Sequence, residues 1–228
     1  MSLKDSRVQT WLTGKAAAWI SEKTGAVASV AAVDIEFFKT VVIQGVYLED
    51  LQKDTLLYTD AIKVKIELFN FRENKLFFSS IILEQAEINI KIQKGEEKTN
   101  FQFLIDAFQN EDTSSVSPWK IDLANLEIIN SKFSYLDKNM PSQEFGVNYW
   151  DIRADNINLK LTDINLKGDT ILAHIQNISL KEKSGFILNN LSADASVCSS
   201  ELALNKLFIK TPGSEVKTNM VFNYEQWA

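Results

Sequence analysis

The residue types best suited to chemistry are rare in this sequence, which has one histidine, His174, and one cysteine, Cys198. A single cysteine excludes an internal disulfide and a cysteine-based metal cluster, and a single histidine excludes every site that needs two. His174 alternates with Ala173 and Ile175, which predicts a solvent-facing strand histidine rather than a catalytic base. Cys198 follows Ala-Ser-Val in a strand-like stretch, which favours a buried small apolar side chain over a reactive thiol.

The acidic pairs offer little more chemistry than the histidine and the cysteine. Glu49-Asp50, Glu96-Glu97 and Glu111-Asp112 each fall at a predicted turn or loop, where we expect solvated charges rather than a carboxylate dyad or a calcium site. The glycines are scattered, and no phosphate-binding loop is present. The sequence therefore predicts a non-enzymatic protein without a cofactor.

Composition bounds the fold and the kind of partner. Acidic residues outnumber Lys and Arg by 30 to 24, and basic residues do not interleave with the five Trp, so nucleic acid is not an expected partner. With 45% hydrophobic residues in 228 positions, disorder is excluded. Glycine and proline are scarce at 8 and 3, while β-branched and aromatic residues are plentiful, which indicates a mainly β fold. No apolar stretch approaches the roughly 20 residues of a membrane-spanning helix.

An amphipathic helix is predicted near the start of the chain, over residues 7–24. Apolar residues recur there at steps of three and four, and Gly25 suits the helix end. The helix has few cations, so we expect it to pack over a sheet rather than lie on a membrane. It is a candidate lid over one open end of that sheet, through Trp11, Leu12, Ala16 and Trp19.

From Val27 onward the apolar residues alternate with polar ones, which is typical of strands with one apolar and one solvated face. Lys160, for example, lies between two of the apolar positions and is expected on the outer face. The predicted lining of an apolar groove consists of Val64, Ile66, Ile88, Ile90, Ile157, Leu159, Leu161, Leu166, Ile178 and Leu180.

Six stretches place apolar residues at positions 1, 3, 6 and 8 of an eight-residue window. They begin at Val41, Ile81, Ile121, Leu159, Ala173 and Leu202. Where a step of three interrupts a period of two, the side chains that follow project from the other face, unless a bulge absorbs the extra residue. The pattern fits either bent strands in an ordinary sheet or a solenoid-like stack of bent strands.

The chain divides at a polar segment, 110–118, which we interpret as a linker. The predicted organisation is an opening helix at 1–25 and a first β segment at 26–109. The latter includes a short helix near 101–108, capped by Asn100. After the linker comes a second β segment at 119–228, truncated at its carboxy-terminal end, where an exposed strand edge is expected to associate with another strand.

Several blocks carry a resemblance to the amino-terminal periplasmic region of the TamB/AsmA-like envelope proteins of Bacteroidetes-type bacteria. The resemblance covers almost the whole chain and is carried by the blocks Ile20–Gly25, Val33–Ile35, Val42–Asp50, Asp54–Tyr58, Ile62–Ile66, Ile81–Ile92, Asn100–Phe108 and Glu182–Phe186. It implies a folded-over, taco-like sheet with an apolar lining and an inner-membrane anchor upstream of this chain. It also implies transport of phospholipids between membranes, or translocation and assembly of outer-membrane proteins with a barrel partner that the missing carboxy-terminal part would meet.

The resulting expectation is an elongated, curved or folded-over antiparallel sheet of short repeated strands. Its apolar groove would hold phospholipid acyl chains or unfolded outer-membrane protein strands in the cell envelope. The alternative is a closed β-sandwich that serves as a structural protein-interaction module, in which the apolar face is core and no lipid groove exists.

Overall fold

The computed structural model describes residues 17–18, 21–36, 39–70, 73, 75–109, 120–141, 143 and 145–224. Residues 17–18 and 21–24 are helical, but most of the predicted opening helix lies outside the described residues, so it is not confirmed. The predicted lid residues Trp11, Leu12, Ala16 and Trp19 lie outside the described residues, as does the predicted linker. None of the described helices is long and apolar enough to span a bilayer.

The described chain forms a 13-stranded sheet and a short helix, which confirms the predicted mainly β, mostly antiparallel fold. The helix, α1, spans Gln102–Gln109, close to its predicted position. The strands are β1 (Ala28–Ser29), β2 (Ala32–Glu36), β3 (Thr40–Glu49), β4 (Thr55–Asn70), β5 (Lys75–Glu84), β6 (Glu87–Ile92), β7 (Lys120–Leu123), β8 (Leu126–Asp137), β9 (Asp151–Lys167), β10 (Thr170–Glu182), β11 (Ile187–Val197), β12 (Glu201–Lys210) and β13 (Glu215–Asn223).

The two predicted β segments belong to one sheet, with the order β1-β3-β4-β5-β8-β9-β10-β11-β12-β13. Neighbouring strands are antiparallel except where the segments meet. There β5 pairs in parallel with β7 and β8, and β6 pairs in parallel with β8. A parallel pair needs a long crossover, and the part of the chain that contains α1 provides it. The polar segment therefore separates two halves of the sequence but not two sheets.

The step of three in the apolar pattern coincides with a backbone irregularity in all six windows. Four have a residue with positive φ in the central pair: Gly45 (57°), Gln85 (52°), Asp163 (54°) and Lys206 (51°). In β10 the register shifts between Ile175 and Ile178, and in the sixth window the central pair separates β7 from β8.

The bulge in β10 keeps its apolar residues on one face. Ile175 pairs with Leu161 and Ile178 pairs with Leu159, and paired residues project from the same face of a sheet. Leu159 and Leu161 are two positions apart in β9, so they share a face, and their partners share it as well. The extra residue is absorbed by the bend, as a β-bulge allows.

Gly45 is the position where this backbone geometry depends most on glycine. Its φ is 57°, and a Cβ built on it would lie 2.7 Å from the Cβ of Ala31. We expect Gly45→Ala to lower the free energy of unfolding by about 2–4 kcal/mol, through left-handed strain and overpacking. Gly168→Ala is the control, because Gly168 has a φ of 67° but open space around it, and should cost about 1 kcal/mol. Equal losses in urea unfolding would show that the contact with Ala31 is unimportant.

Among the described residues, burial is concentrated in two small clusters rather than in one core. At one side of the sheet, Leu104 of α1 and Phe101 directly before it pack against Leu48 and Leu56. In the second half, Ile175, Ala193, Leu204 and Leu207 form the other cluster.

The predicted cap of the short helix is wrong. Asn100 lies two positions before α1, and its side-chain oxygen Oδ1 accepts the backbone amide of Lys91 at 2.9 Å. Its Nδ2 donates to the carboxylate of Asp50 at 2.8 Å. Asn100 therefore links two strand regions through polar contacts that its position before an apolar stripe does not reveal.

The last strand of the sheet, β13, is exposed at all nine of its residues. Its pairing to β12 is the one pairing that the described residues show for it, so an edge with apolar side chains such as Met220 and Phe222 is accessible. Because such an edge is a template for another strand, we expect concentration-dependent association in light scattering. Met220→Lys/Phe222→Lys should weaken it. A strictly monomeric wild type over the whole concentration series would contradict this expectation.

Candidate functional site: the apolar face of the sheet

A continuous row of apolar side chains crosses ten strands of the sheet. Each member pairs directly with the next, so all of them project from one face. We call this the main apolar row, and it runs through Val33, Ile43, Ile62, Leu83, Ile128, Leu159, Ile178, Leu191, Ile209 and Val216. At the usual spacing between strands, the row is about 43 Å long across the sheet.

A second row lies beside the first on the same face. It consists of Ile35, Val41, Val64, Ile81, Leu126, Leu161, Ile175 and Ala193. Together the two rows define the apolar face of the sheet, and neither contains a polar residue. The bulges make this possible because they bring the side chains on both sides of each bend back to one face.

The burial of the main apolar row shows how far this face is covered. Nine of its members are of intermediate burial, and Val216 is 46% exposed. Side chains of this kind between two packed layers are usually fully buried. Lateral contacts between neighbouring strands thus account for much of the burial, and the described residues provide no second sheet over the row.

The ten predicted lining residues all lie on the apolar face. Leu159 and Ile178 belong to the main row, and Val64 and Leu161 to the second row. The other six continue the face along their strands toward its two ends: Ile66, Ile88, Ile90, Ile157, Leu166 and Leu180. Their role as a ligand-binding lining stays a prediction.

A depression of about 630 Å³ lies at one end of the apolar face, lined by residues of β7, β9 and β10 among others. Its apolar walls include Leu123, Ile164, Leu166 and Ile171. Leu166 and Ile171 are paired and are 61% and 48% exposed, so this end of the face is the more open to solvent.

The opposite face of the sheet carries most of the charge. Lys160 pairs with Glu127 across β8 and β9, as its predicted outer position requires. Lys63 Nζ lies 2.7 Å from Glu84 Oε1, and this hydrogen bond raises the pKa of Lys63. Lys63, Glu127 and Lys160 lie in one row of paired residues across the strands, which also contains two apolar residues, Val42 and Ile82. Val42 is 3% exposed, so part of this face is buried as well.

His174 lies on the polar face and is exposed, as predicted. Its Nδ1 is 2.7 Å from Asp194 Oδ1, and Lys206 Nζ is 2.9 Å from the other carboxylate oxygen. Lys206, and then His174, hold the pKa of Asp194 below its ordinary value. The prediction for Cys198 is wrong in degree: the side chain is only partly buried, with Sγ 3.8 Å from Ser200 Oγ.

The expectation of a solvated Glu49-Asp50 pair is also wrong, because the Asp50 side chain is 0% exposed. Its Oδ1 accepts the backbone amides of Gln52 and Asp54 at 3.0 and 2.8 Å, and Lys91 Nζ lies 3.5 Å from Oδ2. These contacts and the hydrogen bond from Asn100 stabilise the charge of the Asp50 carboxylate in place of water. An acidic residue directly after a long strand was the available signal, but it does not distinguish a buried from an exposed carboxylate.

Asp137 and Glu182 repeat this arrangement at the same end of the sheet. They are 8% and 4% exposed, and each accepts a backbone amide two residues further along the chain, from Asn139 at 2.9 Å and Ser184 at 2.7 Å. Three of the turns at this end are therefore fastened by a buried carboxylate.

Glu182 provides a pH-dependent test of this fastening. Burial raises its pKa, but hydrogen bonds from Ser184 and from the amides of Arg153 and Lys183 outweigh burial, so the pKa lies below its ordinary value. The unfolded value is about 4.3, so Glu182 stabilises the fold above that pH and this contribution is lost as the pH falls through the folded pKa. We expect Glu182→Gln to reduce the loss of stability between pH 7 and pH 3. Denaturant unfolding at both pH values measures it, with the exposed Glu96→Gln as control; an unchanged pH dependence in Glu182→Gln would contradict it.

Comparison of the chain with models of known protein families finds no match, and comparison with curated proteins finds none either. The apolar face has no charged group along its two rows, and its side chains are aliphatic and partly accessible, apart from the buried Ile175 and Ala193. Such a surface can hold apolar chains by desolvation but offers no group for bond making.

Proposed function

We propose that this chain is a non-enzymatic part of an envelope protein whose apolar face binds the acyl chains of phospholipids. The observation that carries the proposal is the main apolar row, which crosses ten strands and is only partly buried. Burial of aliphatic surface releases about 25 cal/mol per Å², so a partly accessible face of this extent favours an apolar occupant. The row is about 43 Å long, whereas one leaflet of a bilayer core is about 15 Å thick, so an acyl chain fits along it.

The resemblance to the TamB/AsmA-like envelope proteins supports the same proposal. In that setting the chain would be periplasmic, downstream of an inner-membrane anchor, and would serve phospholipid transport between membranes. An unfolded outer-membrane protein strand is the second candidate occupant, because the exposed edge of β13 could pair with it while its apolar side chains meet the face. A barrel partner in the outer membrane belongs to this second candidate.

The alternative function is a protein-interaction module with a closed β-sandwich core. A sandwich requires a second sheet over the apolar face, and its inner side chains would be fully buried. The partial burial of the main apolar row favours an accessible face over this alternative.

The direct test is extraction of the purified protein with organic solvent, followed by mass spectrometry for phospholipids. It is paired with photo-crosslinking from two neighbouring positions, Leu159 on the apolar face and Lys160 on the polar face. We expect phospholipid in the extract, and lipid adducts from position 159 but not from 160. An extract free of lipid, or equal labelling from both positions, would refute the proposal. Peptide adducts at 159 would instead favour the protein strand as occupant.

A further inference from the structure

The two ends of the sheet differ in the side chains that their turns expose. At the end where Asp137 and Glu182 lie, the β8–β9 loop exposes Phe145 (83%), Tyr149 (72%) and Trp150 (44%), and the β10–β11 turn exposes Phe186 (43%). We call these four residues the aromatic end. At the opposite end, the turns between β9 and β10 and between β11 and β12 contain Gly168-Asp169 and Ser199-Ser200, which are small or polar. Exposed aromatic residues on the turns of one end need a reason, because water is a poor environment for them.

The β8–β9 loop, which carries three residues of the aromatic end, is held by hydrogen bonds at both of its ends. Asn148 is 5% exposed, and its Oδ1 accepts the backbone amide of Trp150 at 3.0 Å. The side chain of Asn139 donates to Glu96 O at 2.9 Å and accepts from Gly95 N at 2.6 Å, which joins the loop to the neighbouring turn. The aromatic side chains are therefore exposed on a loop whose two ends are held in place.

The aromatic end is continuous with the apolar face. Ile90, Tyr135 and Ile152 pair across three strands near this end of the face. Two residues further along, Asp137 N donates to Trp150 O at 2.8 Å, which places Trp150 next in line on the same face. An apolar molecule that leaves the end of the face at β8 and β9 therefore meets Trp150 first.

We propose that the aromatic end docks the protein on the surface of a phospholipid bilayer, so that the apolar face opens directly onto the membrane. This inference rests on the proposed function for its purpose, although docking itself can be measured separately. Trp and Tyr prefer the boundary between headgroups and hydrocarbon, where the ring is apolar and its N–H or O–H remains hydrated.

The charge of these loops favours a bilayer whose lipids are electrically neutral. Lys138, Glu144 and Lys183 are the charged residues of the two loops, so the aromatic end carries almost no net charge. Such a surface has little electrostatic attraction for an acidic or basic protein partner. Its binding to a zwitterionic membrane does not depend on charge attraction, so salt does not screen it. Docking by partition of aromatic rings should therefore be insensitive to salt.

The test is flotation of the protein with phosphatidylcholine vesicles. We expect the wild type to float with the vesicles equally at 0.05 and 0.5 M salt. Phe145→Ser/Tyr149→Ser/Trp150→Ser should reduce the bound fraction at least tenfold. The matched control, Met220→Ser/Val221→Ser/Phe222→Ser, removes exposed apolar side chains from β13 and should float like the wild type. Absence of wild-type flotation, or equal losses in both triple variants, would overturn the proposal.

A second measurement does not depend on the triple variant. Phe145→Cys in a Cys198→Ser background provides a single thiol for an environment-sensitive dye, and Lys206→Cys in the same background is the control on the polar face. On addition of the vesicles, we expect a blue shift of emission from position 145 alone. Equal or absent shifts at both positions would overturn docking through this end.

Binding of a fluorescent fatty acid without vesicles separates the two proposals. The aromatic triple variant should bind the fatty acid as the wild type does, because both rows of the apolar face are intact. Flotation without fatty-acid binding would refute the proposed function and leave docking standing, whereas fatty-acid binding without flotation would do the reverse.

Discussion

Replacing Ile128 and Leu159 by glutamate is expected to reduce the phospholipid recovered with the protein more than tenfold. The two side chains pair in the middle of the main apolar row. A carboxylate at each position would be desolvated by any acyl chain that covered it, and an unpaired charge in an apolar environment costs several kcal/mol. Mass spectrometry of the solvent extract, normalised to protein, measures the change.

The matched control exchanges the charges on the other face of the same two strands. Glu127 and Lys160 are partners across β8 and β9, so Glu127→Lys/Lys160→Glu keeps a complementary pair and the net charge. We expect this variant to retain its phospholipid. If the two variants lose lipid to the same extent, the apolar row is not the binding surface. Far-UV circular dichroism establishes that the sheet persists in both.

Removal of the Asp50 carboxylate is expected to have the largest effect on stability. Asp50→Ala removes the buried acceptor of two turn amides and of one Asn100 hydrogen bond, while Lys91 keeps only its contact with Asp54. Breaking a buried pair from one side costs about 3–5 kcal/mol, and because the Lys91 side chain retains 15% exposure, we expect about 3 kcal/mol. In a chain of this length the melting temperature should fall by about 6–12 °C.

Two further variants separate charge from hydrogen bonding at this position. Asp50→Asn keeps one carbonyl oxygen for the turn amides and should cost less than Asp50→Ala. Glu49→Gln, the neighbouring carboxylate with a hydrogen bond to Tyr47, should change stability by less than about 0.5 kcal/mol. If Asp50→Ala melts like the wild type in calorimetry, its buried contacts do not contribute to the stability of the fold.

The strand pattern could be predicted from the sequence because the alternation of apolar and polar residues has a local cause. Side chains of successive strand residues project to opposite faces, so Ile62, Val64 and Ile66 indicate one face without knowledge of any partner strand. The recurrent step of three was equally informative, since it left two outcomes, a reversal of face or a bulge. At Asp163 and Lys206, positive φ values together with shifts in strand register show that the bulge occurs.

The burial of particular polar side chains could not be predicted from the sequence. Asp50, Asp137 and Glu182 all lie at the ends of long strands, where a turn with a solvated carboxylate is the ordinary expectation. Their burial depends on residues distant in the sequence, such as Asn100 for Asp50 and Arg153 for Glu182. The aromatic end also escaped sequence analysis, because dispersed Phe, Tyr and Trp are more often core residues than exposed ones.

The sequence by itself determined the β class, the positions of most strands, the short helix and the residues of the apolar face, since each of these depends on local periodicity. The tertiary structure alone decided that the two halves form one sheet through the parallel pairing of β5 and β6 with β7 and β8. It also decided that the main apolar row runs unbroken from Val33 to Val216 while remaining partly accessible. The physical reason is that strand order and coverage depend on contacts between residues far apart in the chain, whereas the facing of a side chain depends on its immediate neighbours.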